Sequence, residues 1–387
     1  CIRDRAKDAY SAVPERLRDK VTNSDTLDKA TERFAVIDTI KQAGTKSEEH
    51  FDTVLGTLAD NNIYPVQSIG GEWSVIALAR AGKLSADKAA KYYSELCEAV
   101  KANGSDRLSD RKPTENARVI IALSSLGKNS ANIAGYNLLS GLDDMDYITS
   151  QGINAVIFSL IAFDTTDYSA KTHDELITYI VDNMTGKGWA LAGNTADVDL
   201  TAMAIQALAP YAADEKVNAA IDSGLEFLAE SLDENARYAN GSESTSQVLI
   251  ALAALGIDPL TDSRFIVDGI TLIDALESYA TENGYSHTLG GEENYMATEQ
   301  AALALTAYEL SKAGSSLYEM SAKAEPTEPE NPDTPAQPGD SVKPGDCSGK
   351  PEDKNDPINP GTGVLVTGGM AVLISGAVML ISKKKRK

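Results

Sequence analysis

The chain has 387 residues but only three cysteines, three histidines and 6% aromatics. Cys1, Cys97 and Cys347 lie far apart, with no CxxC pair and no metal-ligand spacing, so neither a disulfide framework nor a zinc site is expected. Cys97 reads as a small buried hydrophobe. His287, Glu292 and Glu299 are the nearest approach to a metal-ligand set. A lone histidine beside carboxylates reads as a surface hydrogen bond, so no metal and no cofactor is expected. No Ser/His/Asp or Cys/His set for nucleophilic catalysis stands out. Positive charge is scarce too: 35 Lys and Arg face 57 Asp and Glu, for a formal net charge of -22. Such a chain repels nucleic acid, which is excluded as a partner.

What the chain does have is buried helix. The stretch Trp189 to Tyr211, WALAGNTADVDLTAMAIQALAPY, runs from a Gly/Trp turn through a polar loop into an Ala-rich helix from about Leu200 to Leu208. Ala, Leu, Met and Gln favour helix, and Pro210 ends it. Aspartate at its start caps the first amides and suits the helix dipole. No wide polar face is left, so the helix should be buried on most sides. Asp197 and Asp199 at its mouth are therefore the feature to explain.

The pattern recurs. Apolar runs centre on Leu78, Leu123, Leu160, Ile205, Leu252 and Leu305, at steps of 45, 37, 45, 47 and 53 residues. Between them lie amphipathic segments at about Ser85–Ala102, Ser130–Gly141, Thr172–Asn183, Asp214–Ser231 and Ile266–Thr281, and Ser47–Asp60 precedes the first run. The unit is outer helix, loop, inner helix, six times over. Stacked pairs of this kind bury a core that no single repeat buries alone.

Six helical pairs with Ala-rich inner helices resemble the α/α toroid of prenyltransferases, squalene/hopene cyclases and transcobalamin-like proteins. The expected fold is all-α, an α6/α6 toroid over residues 47–317. Its most specific piece, Asp197-Val198-Asp199-Leu200-Thr201, resembles the DxDD-T acid motif of class II terpene cyclases, with Asp199 at the place of the proton donor. Leu200 departs from that motif, where the cyclases carry another Asp.

Composition divides the rest. Residues 1–44 resemble the small helical FIVAR-like modules of Gram-positive surface proteins, through A-x-x-A-Y, V-x-N and L-x-x-A patterns. The chain opens at Cys1 without a signal peptide and is expected to be the remainder of a longer protein, an acylated lipoprotein cysteine being the alternative. Residues 325–361, rich in Pro, Asp, Glu, Gly and Lys, should form an extended acidic spacer. Residues 364–381 are uncharged; as a helix they reach about 27 Å, near the minimum for a bilayer span. Lys383 to Lys387 then hold the C-terminus in the cytoplasm. Asn359-Pro360-Gly361-Thr362-Gly363, directly before this span, resembles the LPxTG-like sorting signal of Gram-positive surface proteins, over residues 359–387. The resemblance implies a sortase that cuts between Thr362 and Gly363 and joins Thr362 to peptidoglycan. The membrane is then a partner only of the precursor. Asn359 stands where the pattern has Leu, which leaves the sortase class open.

Counting back six residues from each central apolar position gives Glu72, Ala117, Asn154, Asp199, Ser246 and Glu299. If the inner helices are parallel, these form a ring at one mouth, joined by Trp73, Trp189, Tyr285, His287 and Tyr295 from the loops. The expected ligand-binding set is Glu72, Trp73, Asn154, Trp189, Asp199, Ser246, Tyr285, Tyr295 and Glu299. Single polar residues there also serve simply as helix caps. The function expected is a cell-wall-anchored surface protein whose toroid binds a small molecule or a surface partner without catalysis. The alternative is a terpene cyclase or prenyltransferase-like enzyme with Asp199 as acid and Asp197 beside it. A further alternative is corrinoid binding of the transcobalamin kind. The incomplete acid motif and the export signal weigh against the enzyme.

Overall fold

The computed structural model describes residues 9–13, 18, 21, 50–60, 66, 67 and 69–320. The N-terminal module at 1–44 lies almost wholly outside these residues. The spacer, the sorting signal and the apolar span lie wholly outside them. The described residues are mostly helical and contain no β-strand, only isolated bridges. None of their helices is long and apolar enough to cross a membrane.

Helix α1 occupies residues 50–60. There follow α2 (Ile69–Arg80), α3 (Ala86–Asn103), α4 (Pro113–Ser125), α5 (Leu138–Leu142), α6 (Met145–Thr149), α7 (Ile153–Asp164), α8 (His173–Asp182), α9 (Val198–Leu208), α10 (Glu215–Glu230), α11 (Ser242–Ala254), α12 (Leu272–Glu277) and α13 (Tyr295–Lys312). Six of them form the inner layer. α2 packs on α4, α4 on α7, α7 on α9, α9 on α11, α11 on α13, and α13 returns to α2. The remaining helices flank this layer: α8 lies against α7, α10 against α9 and α12 against α11.

Sequence explains the sorting. In α7 every residue from Ile153 to Phe163 is buried, and in α11 every residue from Ser242 to Ala253. Their small and apolar side chains let neighbours approach on all sides. In α10 only Val217, Ala220, Ile221, Gly224, Leu225 and Leu228 are buried, the single stripe of a helix with one wet face. Inner helices meet their neighbours like end to like end. Ser74 near the start of α2 reaches Glu299 near the start of α13, and Thr165 past the end of α7 donates to Ser124 at the end of α4. They therefore run parallel, with their N-termini at one face and their C-termini at the other.

The loop into α9 is repeated almost bond for bond before α13. The Trp189 amide donates to Thr201 Oγ1 at 3.0 Å and the Tyr285 amide to Thr298 Oγ1 at 2.9 Å. Asp197 N–H donates to the Trp189 carbonyl, and Asn294 N–H to the Tyr285 carbonyl, both at 2.8 Å. Asp197 and Asn294 then cap their helices by accepting from Leu200 N and Ala297 N. The aromatic polar tips bond back to the preceding outer helix: Trp189 Nε1 donates to Ile180 O and Tyr285 Oη to Glu277 Oε1, each at 2.6 Å.

Four expectations need correction. The outer segments expected at Ser130–Gly141 and Ile266–Thr281 are helical only over Leu138–Leu142 and Leu272–Glu277. In each, a tight turn comes first, Ile133 to Tyr136 and Val267 to Ile270. Its two central residues have positive φ: Ala134 and Gly135, Asp268 and Gly269. Asn137 and Thr271 then start the short helices as caps. The fold also runs past Leu317, since Tyr318 and Met320 pack on the core. Finally, Cys97 on α3 is buried, as expected, but disulfide-bonded. Sequence separation gave no hint of that pairing.

Candidate functional site

At the N-terminal face, α2, α4 and α13 bring three expected site residues together, Glu72, Tyr295 and Glu299, and two of them are buried rather than placed on a rim. Glu72 is fully buried; its Oε2 takes Arg118 Nε at 2.9 Å. Its Oε1 takes the Gln67 amide at 2.6 Å and the Tyr92 hydroxyl at 3.1 Å. Arg118 also reaches Glu115 Oε2 at 2.5 Å. Burial raises the Glu72 carboxyl above its ordinary range, while Arg118 pulls it back. Ser74 donates to Glu299 Oε2 at 2.8 Å, and its hydroxyl also pairs with that of Tyr295 at 2.8 Å. Glu299 Oε1 has no hydrogen-bond partner among the described residues. Burial pushes the Glu299 carboxyl up to about 8, so it is largely protonated at neutral pH. Tyr295 is the one member of the expected set with a large exposed side chain.

The rest do not converge on this cluster. Asp199, also buried, accepts from Ser244 Oγ on α11 at 2.5 Å. Asp197 is spent on its cap bond, so the two aspartates of the acid motif point to different partners. Ser246 donates to Ser242 O within its own helix. Asn154 is buried with Oδ1 unpartnered among the described residues. Trp189 and Tyr285, expected on the rim, are buried between the inner and outer layers. There Trp189 meets Gly224 of α10, and Tyr285 stacks edge-on against His50. His287 bonds the Glu243 carboxylate at 2.8 Å. The ring alignment also slips. The repeated loops equate Thr201 with Thr298, so Asp199 and Glu299 sit at different depths, second and fifth in their helices.

The interior of the helical layer is filled. Trp73, Phe158, Met203, Ile250 and Leu303 close on a void of about 10 Å³, room for about one water. A glutamine ladder crosses it: Gln206 donates to Gln247, Gln247 to Gln300, and Tyr318 donates to Gln206 from the segment after α13. Sequence reasoning passed over these residues. Their signal is a single Gln inside each apolar helix, since a buried amide has to find partners.

Open space lies at the opposite face. A bowl of about 630 Å³ is lined by the ends of α7, α9, α11 and α13 and by Ser315, Ser316, Tyr318 and Glu319. That volume suits a small ligand. Ile161, Ala207, Pro210, Ala253 and Leu255 give it an apolar floor. Asp164, the last residue of α7, stands in its wall with both neighbours on one oxygen: Tyr211 Oη donates to Oδ1 at 2.6 Å and His173 Nε2 lies 2.9 Å away. Desolvation raises the Asp164 carboxyl, partly offset by the Tyr211 and His173 bonds. A second depression of about 440 Å³, lined by Lys128, Asn129, Thr166 and Tyr168 among others, lies by the ends of α4 and α7. None of the expected site residues lies in the bowl. The sequence signal available for it was a carboxylate ending an apolar helix, FSLIAFD, where a cation is the favoured residue. Compared with known proteins, the chain matches no family model, no curated protein and no solved structure.

Proposed function

We propose that the chain is a Gram-positive, wall-anchored surface protein whose helical domain is an α6/α6 toroid. In this reading it binds a small ligand in the bowl at the C-terminal face and is not a catalyst. The observation that carries the reading is the division of space: about 10 Å³ in the interior against about 630 Å³ in the bowl. Catalysis on a polyprenyl chain needs an interior cavity that encloses the substrate, and here aromatic and glutamine side chains occupy it. The disulfide at Cys97 agrees with an oxidising, extracellular setting. Sortase, peptidoglycan and, in the precursor, the membrane are the partners that the C-terminal sequence implies.

The cyclase reading is the second one, and Glu299 is what favours it. A carboxyl kept protonated near neutral pH is what an acid catalyst requires. Incubating the purified protein with squalene and with prenyl diphosphates, followed by mass spectrometry, separates the two. The binding reading expects no cyclised product. A product formed by the wild type and lost in Asp199→Asn or Glu299→Gln overturns it.

A further inference from the structure

The bowl has an electrostatic character that its lining residues do not neutralise. Helices α7, α9, α11 and α13 all point their C-terminal, partially negative ends into it. The last turns of α7, α9 and α11 contain no basic residue, and Lys312 at the end of α13 is held by Glu309 at 2.9 Å. Two carboxylates, Asp164 and Glu319, are added to this field. Asp164 breaks the local rule outright, because an anion at a helix C-terminus is unfavourable for the helix. Yet it is fixed in place by Tyr211 and by His173, whose other nitrogen lies 3.5 Å from Asp174. Arg80 is engaged with the Ser316 carbonyl at 2.8 Å and lies by Glu319. A residue held at a cost to its own helix, in the wall of a ligand-sized cavity, points to a ligand that repays it.

We propose that the bowl binds an organic cation, an amine or quaternary ammonium with an apolar body, and that Asp164 is its counter-ion. The apolar floor takes the body of the ligand. The four helix ends and Asp164 take the charge, and the Tyr211 and Tyr318 rings offer faces for it. Asp164 Oδ2 carries no hydrogen bond among the described residues and is the atom that meets the ligand. The proposal rests on the reading of the bowl as the ligand site and adds the class of ligand.

The test is ligand-observed NMR on the full chain in detergent, with choline and benzyltrimethylammonium as cations and 3,3-dimethyl-1-butanol as the uncharged counterpart of choline. Both cations should bind, and the neutral alcohol at least about tenfold more weakly. Asp164→Asn should weaken the cations by about tenfold or more and leave the alcohol unchanged, while Asp164→Glu restores part of the loss. Ala254→Trp, which fills the bowl from a half-buried position, should abolish all binding. Equal binding of choline and the alcohol, both lost in Ala254→Trp, overturns the cation and leaves the bowl as a site. Cation binding that survives Ala254→Trp overturns both. No binding by either cation, or binding indifferent to Asp164→Asn in a variant that melts as a folded protein, overturns the cation.

Discussion

Ser74 and Glu299, 225 residues apart in sequence, are joined by a buried hydrogen bond of 2.8 Å between the second turns of α2 and α13. That bond satisfies one carboxyl oxygen and leaves Oε1 unpaired among the described residues. It is part of the seam that joins the last inner helix to the first. With the carboxyl pushed from 4.5 to about 8, the folded state holds a proton over this interval that the unfolded state has released. Stability should therefore fall as pH rises from about 4.5 to about 8, with a slope from this group of up to about 1.4 kcal/mol per pH unit. Glu299→Gln removes the slope. Thermal melts of both proteins from pH 5 to 9 should diverge with rising pH, the variant becoming the more stable. Parallel curves would mean that Glu299 is ionised in the fold.

Arg118 is the one guanidinium within this cluster, bonded to both Glu72 and Glu115. Arg118→Met should cost about 3–5 kcal/mol, because it leaves a buried carboxylate uncompensated. Arg118→Met combined with Glu72→Gln should recover much of that loss. Denaturant unfolding of the single and double variants checks it, and strict additivity would show that the pair is not coupled.

The two repeated loops should respond alike to one substitution. A Cβ on Gly188 would stand 2.3 Å from Thr201 Oγ1, and one on Gly284 also 2.3 Å from Thr298 Oγ1. Each threonine is the acceptor that holds the loop, so neither is free to move aside. Gly188→Ala and Gly284→Ala should each destabilise by about 1–3 kcal/mol. Melting temperatures unchanged by either substitution would refute the equivalence of the loops.

These loops also show why part of the fold was legible and part was not. Inner helices announce themselves by lacking a polar face, and α9 and α11 fall close to where the apolar runs place them. The outer segments at 130–141 and 266–281 contain enough helix formers to suggest full helices. Their Ala-Gly and Asp-Gly steps at positive φ break them instead, and those steps are written plainly in the sequence. The site was less legible for a different reason. Aligning on the central apolar residue fixes a helix to within about one turn, and one turn separates a cap from a buried acid. Within α9 the two aspartates of the motif divide, Asp197 as the cap and Asp199 as the buried residue. Trp189 and Tyr285 follow Gly-rich turns, which suggested a rim. Their polar tips find partners on the outer helices, and that pulls the rings inward. The bowl depends on four helix ends from distant repeats, and no local pattern encodes their meeting.

Anchoring has its own test. Replacing Thr362 by Ala should leave the protein in the membrane fraction and deplete it from the wall fraction released by lysozyme. A variant still covalently joined to peptidoglycan would refute the sorting reading.

In the proposed function, ligands bind at the C-terminal face and not among the buried acids at the N-terminal face. A crystallographic fragment screen tests it most directly. Fragment density is expected in the bowl, against Ile161, Tyr211 and Ala254, and should be lost in crystals of Ala254→Trp. Density confined to the opposite face, around Tyr295 and Glu299, would contradict it.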